Sequence, residues 1–189
     1  MLSIYFTIRH KKKMLYKHRW INRSAGQNLP ETAVAGGRDI DGSTIYVGRA
    51  FHNGDMIPAK VIPDKNIAYV CHNGEEHQKH DFEVSQTNIL ILHINNYFFY
   101  ILLYLPLSSS ILTFYSESQR LFSSNGAIPG DAVIAGQTSD GEPLYVGRVL
   151  HNGSQTVGKV GVQPSHGCLY IPFDGEELSF KDYEVLVIH

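Results

Sequence analysis

The chain has 189 residues, with 16 Lys and Arg against 18 Asp and Glu, and a formal net charge of -2 at pH 7. A charge this near zero gives no long-range field to attract nucleic acid or an anionic membrane, which argues against both as partners. Its two cysteines do not form a disulfide framework, and this favours a reducing compartment.

The N-terminal segment 1–19 is interpreted as a tail. Residues 1–8 are apolar, but they precede the basic run Arg9–Lys13 and lack a small-residue cleavage site. A signal peptide is therefore not predicted. We expect a cytoplasmic protein, or one secreted by a non-classical route.

A first repeat, 20–84, consists of short strands separated by turns. Alternation of apolar and polar residues predicts a strand at Thr44–His52, and Asn53-Gly54 predicts a type I′ hairpin turn that returns the chain through Met56–Ile62. A second hairpin is predicted from Ile67–His72 and Glu76–Val84. No stretch has a sustained helical period.

The same pattern returns ninety-nine residues later, in a second repeat, 119–189. Residues 33–61 align with residues 132–160 without a gap, and 14 of these 29 positions are identical. A two-residue shift then aligns residues 68–84 with residues 169–185. The chain is therefore a tandem duplication.

Each copy, at about 65 residues, is too short to bury much of its own surface. The sequence therefore predicts an all-β fold, a tandem pseudo-symmetric repeat of short antiparallel hairpins packed into one compact body.

The two repeats are separated by an apolar insertion or linker, 85–118. Residues 88–116 contain no Asp, Glu, Lys or Arg and are long enough for a transmembrane helix. His93, Asn95, Asn96 and Pro106 interrupt the run, however. Three interpretations stay open: a membrane span, a membrane-peripheral or self-associating arm, and an insertion that the repeats do not use, such as an unspliced segment of the gene model. We favour the last.

One pattern in the first copy is specific to a family. It begins with Pro30-x-x-Ala-Val-x-Gly-Gly and continues with Asp-x-Asp-Gly-x-x-Ile-Tyr-Val-Gly-Arg-Ala-x-His-x-Gly-Asp-x-Ile-Pro-x-Lys60. It resembles the DM-nine repeat, which occurs mostly in tandem pairs in invertebrates and is related to the N-terminal part of natterin-like proteins. The resemblance implies a pseudo-symmetric all-β body. The best characterised members of the family are mannose-binding lectins that act as pattern-recognition proteins in innate immunity. For this chain we expect neither a metal nor another cofactor.

The resemblance also implies a sugar site. It assigns contact to Asp39, just before the Asp-Gly turn, and to Lys60, after the hairpin. The second copy keeps the lysine as Lys159 but has Thr138 opposite Asp39, so its site is either degenerate or would have to use Asp140. We therefore expect one good site and one weak one, with mannose-type glycans on microbial surfaces as partners. Whether the chain forms a homodimer stays open.

The chemistry of an Asp/Lys pair suits a sugar. A carboxylate accepts hydrogen bonds from two neighbouring hydroxyls, and an ammonium donates up to three. Tyr46 or Tyr69 would offer an aromatic face to the sugar's C–H surface. The alternative is that Asp39 caps its own turn and Lys60 is a solvated strand lysine.

A metal-like cluster also lies in the first copy, at Cys71, His72, His77 and His80. The second copy has Pro172, Phe173, Leu178 and Lys181 at these positions, so the fold does not require a metal. We interpret the segment as a polar hairpin and predict no metal site. His52 and His151, the only duplicated histidines, are expected to support their turns.

No nucleophile elbow, His-Glu-x-x-His, phosphate-binding loop or Cys-x-x-Cys is present, so an enzyme is not predicted. Arg49 and Arg148 are expected to link the repeats through charge pairs, with Glu76 and Glu177 as the suggested partners.

The alternative function is a structural or membrane-associated interaction protein that docks through residues 88–116.

Overall fold

A computed structural model describes residues 14–91, 119–161 and 167–187. The first copy contributes β1 (Met14–Ser24), β2 (Ala35–Arg38), β3 (Thr44–His52), β4 (Asp55–Ile62), β5 (Ile67–His72), β6 (Glu75–Lys79) and β7 (Asp81–Ile91). The second contributes β8 (Gln119–Ser124), β9 (Ile134–Gln137), β10 (Pro143–His151), β11 (Ser154–Gly161), β12 (Leu169–Phe173), β13 (Glu176–Phe180) and β14 (Asp182–Val187). A 3₁₀ turn at Pro63–Lys65 is the one helical element among these residues. The all-β prediction is confirmed.

The outer strands extend beyond the expected repeat boundaries. β1 begins at Met14, inside the segment interpreted as a tail, and pairs antiparallel with β7, which runs to Ile91. Residues 1–13 and 92–118 lie outside the described residues, and with them most of the apolar insertion. In the described part of the chain, no helix is apolar and long enough to cross a membrane.

The strand expected at Glu76–Val84 is wrong as a single element. The structure divides it at His80 into β6 and β7. The division is necessary because the two halves have different neighbours: β6 pairs with β5, whereas β7 pairs with β3 and β1.

The hairpin turns form where the Asn-Gly and Asp-Gly dipeptides predict them. Asn53 and Gly54 have φ values of 49° and 94°, and Asn152 and Gly153 have values of 47° and 83°. A type I′ turn needs positive φ at both central residues, which Asn and Gly tolerate. These local signals fix the register of β3 against β4 and of β10 against β11.

The two copies are joined by hydrogen-bonded strand pairs. β2 pairs with β11 at Arg38 and Gln155, β4 with β9 at Met56 and Gln137, and β6 with β13 at Glu75 and Glu176. Eight strands then close into a ring, in the order β3, β2, β11, β12, β13, β6, β5, β4 and back to β3. The prediction of one compact body is confirmed.

The core crosses the boundary between the copies. Its largest cluster contains Val34, Ile45 and Val47 of the first copy and Val133, Val146 and Val157 of the second, all nearly inaccessible to solvent. Burying each such side chain contributes about 1.5–3 kcal/mol. Because this apolar surface is shared, neither copy keeps its core without the other.

Arg49 and Arg148 do link the copies, but through partners other than those suggested. Arg49 forms an ion pair with Glu83 rather than Glu76, and its Nη1 donates to the carbonyl of Ala135 in the other copy at 3.2 Å. Arg148 repeats this arrangement with Glu184 and with the carbonyl of Gly36. The suggestion of Glu76 and Glu177 is wrong because those carboxylates already hold lysines.

Candidate functional site

Lys60 lies in the junction between the copies. Its side chain is 8% exposed, and its Nζ is 3.0 Å from Oε1 of Glu76. The same ammonium donates to the carbonyl of Pro172 in the second copy at 2.7 Å. Glu76 in turn accepts from the backbone N–H of Gly175 at 3.0 Å. Lys60 is therefore a buried link between the copies and not a solvated strand lysine.

Lys159 repeats these contacts in the opposite direction. Its Nζ is 2.8 Å from Oε1 of Glu177 and donates to the carbonyl of Cys71 at 2.8 Å. Glu177 accepts from the backbone N–H of Gly74 at 2.7 Å. Burial alone would raise the pKa of Glu177, but the hydrogen bond from Lys159 outweighs it and holds the pKa below its ordinary value. Conservation of the lysine between the two copies is thus explained by architecture.

Asp39 lies at the edge of the junction and pairs with Lys65. Oδ2 of Asp39 is 2.6 Å from Nζ of Lys65, which also lies 3.0 Å from Oδ2 of Asp41. Oδ1 of Asp39 accepts from the backbone N–H of Ile40 at 3.0 Å. Burial acts to raise the pKa of Asp39, but the hydrogen bonds from Lys65 and Ile40 outweigh it, and the net pKa is lowered. Asp39 is therefore an ionised acceptor at neutral pH.

Tyr69 lies near two ion pairs, that of Lys60 with Glu76 and that of Lys65 with Asp39. Nζ of Lys60 lies 4.9 Å from the centre of its ring. Burial raises the pKa of its hydroxyl, and the carboxylates of Glu76 and Asp39 act in the same direction, against Lys65. The half-buried ring thus lies near the buried ammonium of Lys60 and within the electrostatic influence of the Asp39–Lys65 pair.

The structure therefore groups the expected residues differently from the sequence. The sequence paired Asp39 with Lys60, whereas the ammonium in contact with Asp39 is that of Lys65. Sequence reasoning missed Lys65 because it concentrated on positions that the two copies share. The available signal was a difference in sequence: residues 162–166, which follow β11 in the second copy, contain no lysine.

A cleft of about 500 Å³ begins at the same turn. The turn Pro63–Lys65 contributes Pro63 and Asp64 to its wall, and Tyr46, Thr44 and Glu31 line other sides. Its size is that of a small-molecule site. Both aromatic residues considered for a sugar, Tyr46 and Tyr69, thus lie close to the turn that carries Lys65.

The equivalent turn of the second copy has a different chemistry. Oγ1 of Thr138 accepts from the backbone N–H of Glu142 at 3.0 Å, so Thr138 caps the turn where Asp39 holds Lys65. Asp140 is exposed. Burial raises the pKa of Tyr170, the counterpart of Tyr69, to about 12, and its hydrogen bond with Cys168 adds to the shift.

Three histidines of the first copy converge at the other end of β3. His52, His72 and His77 each offer a ring nitrogen, and these atoms lie within 4.8 Å of one another. The group takes in His52, which the sequence interpretation assigned to a turn. It leaves out Cys71, whose buried Sγ faces the carbonyl of Tyr170 at 3.4 Å, and His80, which is exposed.

The duplication in this chain is matched by a known repeat family. The family model of the DM9 repeat matches the chain twice, at residues 39–90 and 116–180, which together make up more than half of it. The chain belongs to the DM9 repeat family. One DM9 match falls on each of the two copies recognised from the sequence: the first begins at residue 39, inside the first repeat, and the second begins at residue 116, within the insertion. No curated protein matches the sequence.

A DM9-like fold is also found in a solved structure, the crystal structure of the nematode sperm cell motility protein MFP2B. The TM-score is 0.56 at 11% sequence identity, and the match covers 92% of this chain. The chain spans 46% of the length of MFP2B. At this identity the likeness is one of fold.

Proposed function

We propose that this DM9 protein is a metal-independent lectin that binds mannose-type glycans, in keeping with pattern recognition of microbial surfaces in innate immunity. The observation that carries the proposal is the ion pair of Asp39 and Lys65, which is near enough to the half-buried Tyr69 for both charges to act on the pKa of its hydroxyl. The assignment of Asp39 to sugar contact comes from the family resemblance, and the geometry supplies a chemical reason for it.

A hexopyranose such as mannose presents neighbouring hydroxyls that both donate and accept hydrogen bonds. The carboxylate of Asp39 accepts from Lys65, from the N–H of Ile40 and from the side chain of Ser154. Its two oxygens offer about four acceptor sites, so one remains for a sugar hydroxyl. Lys65 has three N–H groups and two carboxylate partners, so one donor remains. Charge-assisted bonds of this kind are roughly twice as strong as neutral ones.

Lys60 takes a supporting role in this proposal. Its ammonium is already bound to Glu76 and to the carbonyl of Pro172, and it lies against Tyr69. It fixes the ring on which the apolar face of a sugar would pack. The neighbouring cleft beside Tyr46 has room for further units of an oligosaccharide.

The second copy is expected to be the weak site. It retains Lys159 and Tyr170, but Thr138 replaces the ionised acceptor, and Asp140 lies on the exposed side of the turn. A neutral hydroxyl occupied by its own backbone offers less to a sugar than a free lone pair of a carboxylate.

Replacing Asp39 with alanine should lower the affinity for a methyl mannoside at least about tenfold, because a hydrogen bond to a charged group contributes about 1.5–3 kcal/mol. Titration calorimetry on the full chain measures the effect, and a glycan array shows whether mannose is preferred. Thr138→Ala, at the equivalent position of the second copy, is the matched control and should leave the affinity unchanged. Equal affinity in wild type and Asp39→Ala would refute the assignment of Asp39.

Mannose binding should be nearly constant from about pH 5 to pH 9. The pKa of Asp39 is lowered from 3.8, and that of Lys65 is raised from 10.5 by its bonds to Asp39 and Asp41, so both groups stay charged throughout this window. Protonation of Asp39 would remove the acceptor only below its ordinary pKa. Calorimetry at several pH values tests this. A fall in affinity between pH 7 and pH 5 would instead implicate a histidine.

A further inference from the structure

The convergence of His52, His72 and His77 has no role in the proposed sugar site. We propose that these three imidazoles bind one divalent transition-metal ion, with Zn²⁺ as the expected ion, at the end of β3 opposite Asp39. Their ligand atoms already lie within 4.8 Å of one another. Three histidines with a fourth position open to solvent are a recurrent zinc arrangement.

The rings come from two hairpins that the fold brings together. His52 ends β3, while His72 and His77 lie on the paired strands β5 and β6. The rings of His52 and His77 are stacked with centroids 4.1 Å apart, and the ring of His72 is 5.1 Å from that of His52. Zinc at its usual bond length would bring tetrahedral ligands to roughly 3.4 Å from one another, a change that side-chain rotation of part-exposed residues can provide.

In two of the histidines, one ring nitrogen faces a carbonyl or a carboxylate, as is usual for metal-binding histidines. Nε2 of His77 is 3.1 Å from the carbonyl of His72. Nε2 of His72 faces Oδ2 of Asp55 at 3.7 Å. Such contacts to a carbonyl or carboxylate orient a ring and leave its other nitrogen free to bind a metal.

His52 has an unsatisfied nitrogen. Its Nε2 is buried and is one of the few side-chain polar atoms in the described residues that lack a hydrogen-bond partner. Burying such an atom without a partner costs its desolvation free energy. A metal ion bound at this atom would remove that cost.

The second copy shows that the fold does not need these histidines. Its counterpart of the cluster keeps His151, but His72 and His77 are replaced by Phe173 and Leu178. His151 packs edge-on against Phe173 and Phe180, with centroids at 4.8 Å and 5.2 Å. One copy therefore fills this position with apolar contacts and the other with three metal-binding side chains.

Lys79 is the group that opposes a cation here. Its Nζ lies 2.9 Å from Nδ1 of His52, and the second copy has Phe180 at this position. The ammonium of Lys79 must move away when a metal ion binds, because the two positive charges repel each other. Lys79→Phe should therefore raise the metal affinity, and this gain separates a true site from general loss of structure.

Calorimetric titration of the full, tag-free chain with Zn²⁺ tests the proposal. Wild type should bind one ion, and His72→Phe and His77→Leu should each weaken this binding at least about tenfold, which is the lower end of the loss that even outer-shell changes cause. Both variants introduce residues that the second copy already carries, so the fold should accept them. His151→Phe is the matched control in the other copy and should bind as wild type does.

Co²⁺ gives a second readout that does not depend on the variants. Bound by three imidazoles in tetrahedral geometry, it should produce a visible absorption band that Zn²⁺ removes, and Lys79→Phe should strengthen the binding. Absence of saturable binding in wild type, or equal affinity in wild type, His72→Phe and His77→Leu, would overturn the proposal. A chelator should leave mannose binding intact, which separates this site from the proposed lectin site.

Discussion

Gly37→Ala should lower the free energy of unfolding by more than about 3 kcal/mol, at the upper end of the effects of single substitutions. A Cβ at Gly37 would lie 1.8 Å from the backbone oxygen of Gln155. The clash is with backbone, so no side-chain rotation relieves it, and β2 would have to leave β11. The pair of strands that would separate is one of those joining the two copies.

Gly136→Ala should cost about as much, because it repeats the clash on the other side of the pseudo-symmetry. Its Cβ would lie 1.9 Å from the backbone oxygen of Met56. Gly130→Ala is the control, since nothing lies within 4 Å of a Cβ there. Urea denaturation measures all three. A midpoint for Gly37→Ala or Gly136→Ala equal to that of Gly130→Ala would show that the copies do not interlock through these strands.

Lys60→Ala should also be strongly destabilising, by about 3–5 kcal/mol, because it leaves Glu76 buried without its counter-charge. The carboxylate is 11% exposed, and the carbonyl of Pro172 loses its donor as well. A double-mutant cycle with Glu76→Ala isolates the pair: the double variant should be less destabilised than the sum of the single ones. Additive effects would mean that Lys60 and Glu76 do not stabilise each other.

A loss of sugar binding in Lys60→Ala would not by itself show that Lys60 contacts the sugar. Such a loss would follow from unfolding as readily as from a missing sugar contact. Lys159→Ala separates the two, because Lys159 makes the same contacts beside the turn that has no Asp39. If Lys60 is mainly a link between the copies, both variants lose similar stability, and mannose affinity survives in folded Lys159→Ala.

The local part of the fold was predictable from the sequence. The strand at Thr44–His52 and the turn at Asn53-Gly54 were expected at the positions where the structure has them. Both depend on short-range physics, namely the alternation of side chains along a strand and the tolerance of Asn and Gly for positive φ. The duplication similarly predicted that the two copies form one body.

The pairing between the copies was not predictable. Nothing at Arg38 or Met56 indicates that their strands join Gln155 and Gln137 of the other copy, because such contacts depend on how the whole body closes. The role of Lys60 follows from that closure. The family resemblance assigned Lys60 to sugar contact, whereas the contacts that it shares with Lys159 are those that hold the copies together.

The candidate sites were predictable only in part. Asp39 came from the family resemblance, but its partner Lys65 lies 26 positions away, and the second copy has no lysine in the segment between β11 and β12. The sequence placed His72 and His77 on one hairpin and predicted no metal site there, and the third histidine, His52, lies on another hairpin. In both cases the missing residue is distant in sequence and becomes a neighbour only through the tertiary fold.

The central claim is that a mannose-type sugar binds beside Asp39 in the first copy. An NMR titration of the isotope-labelled chain with a methyl mannoside tests this most directly. The backbone amides of Ile40 and Tyr69 should shift first in the titration, while the amide of Gly141, in the equivalent turn of the second copy, should shift only at much higher sugar concentrations. Saturable shifts centred on Gly141, or no shifts at Ile40 and Tyr69, would contradict the account.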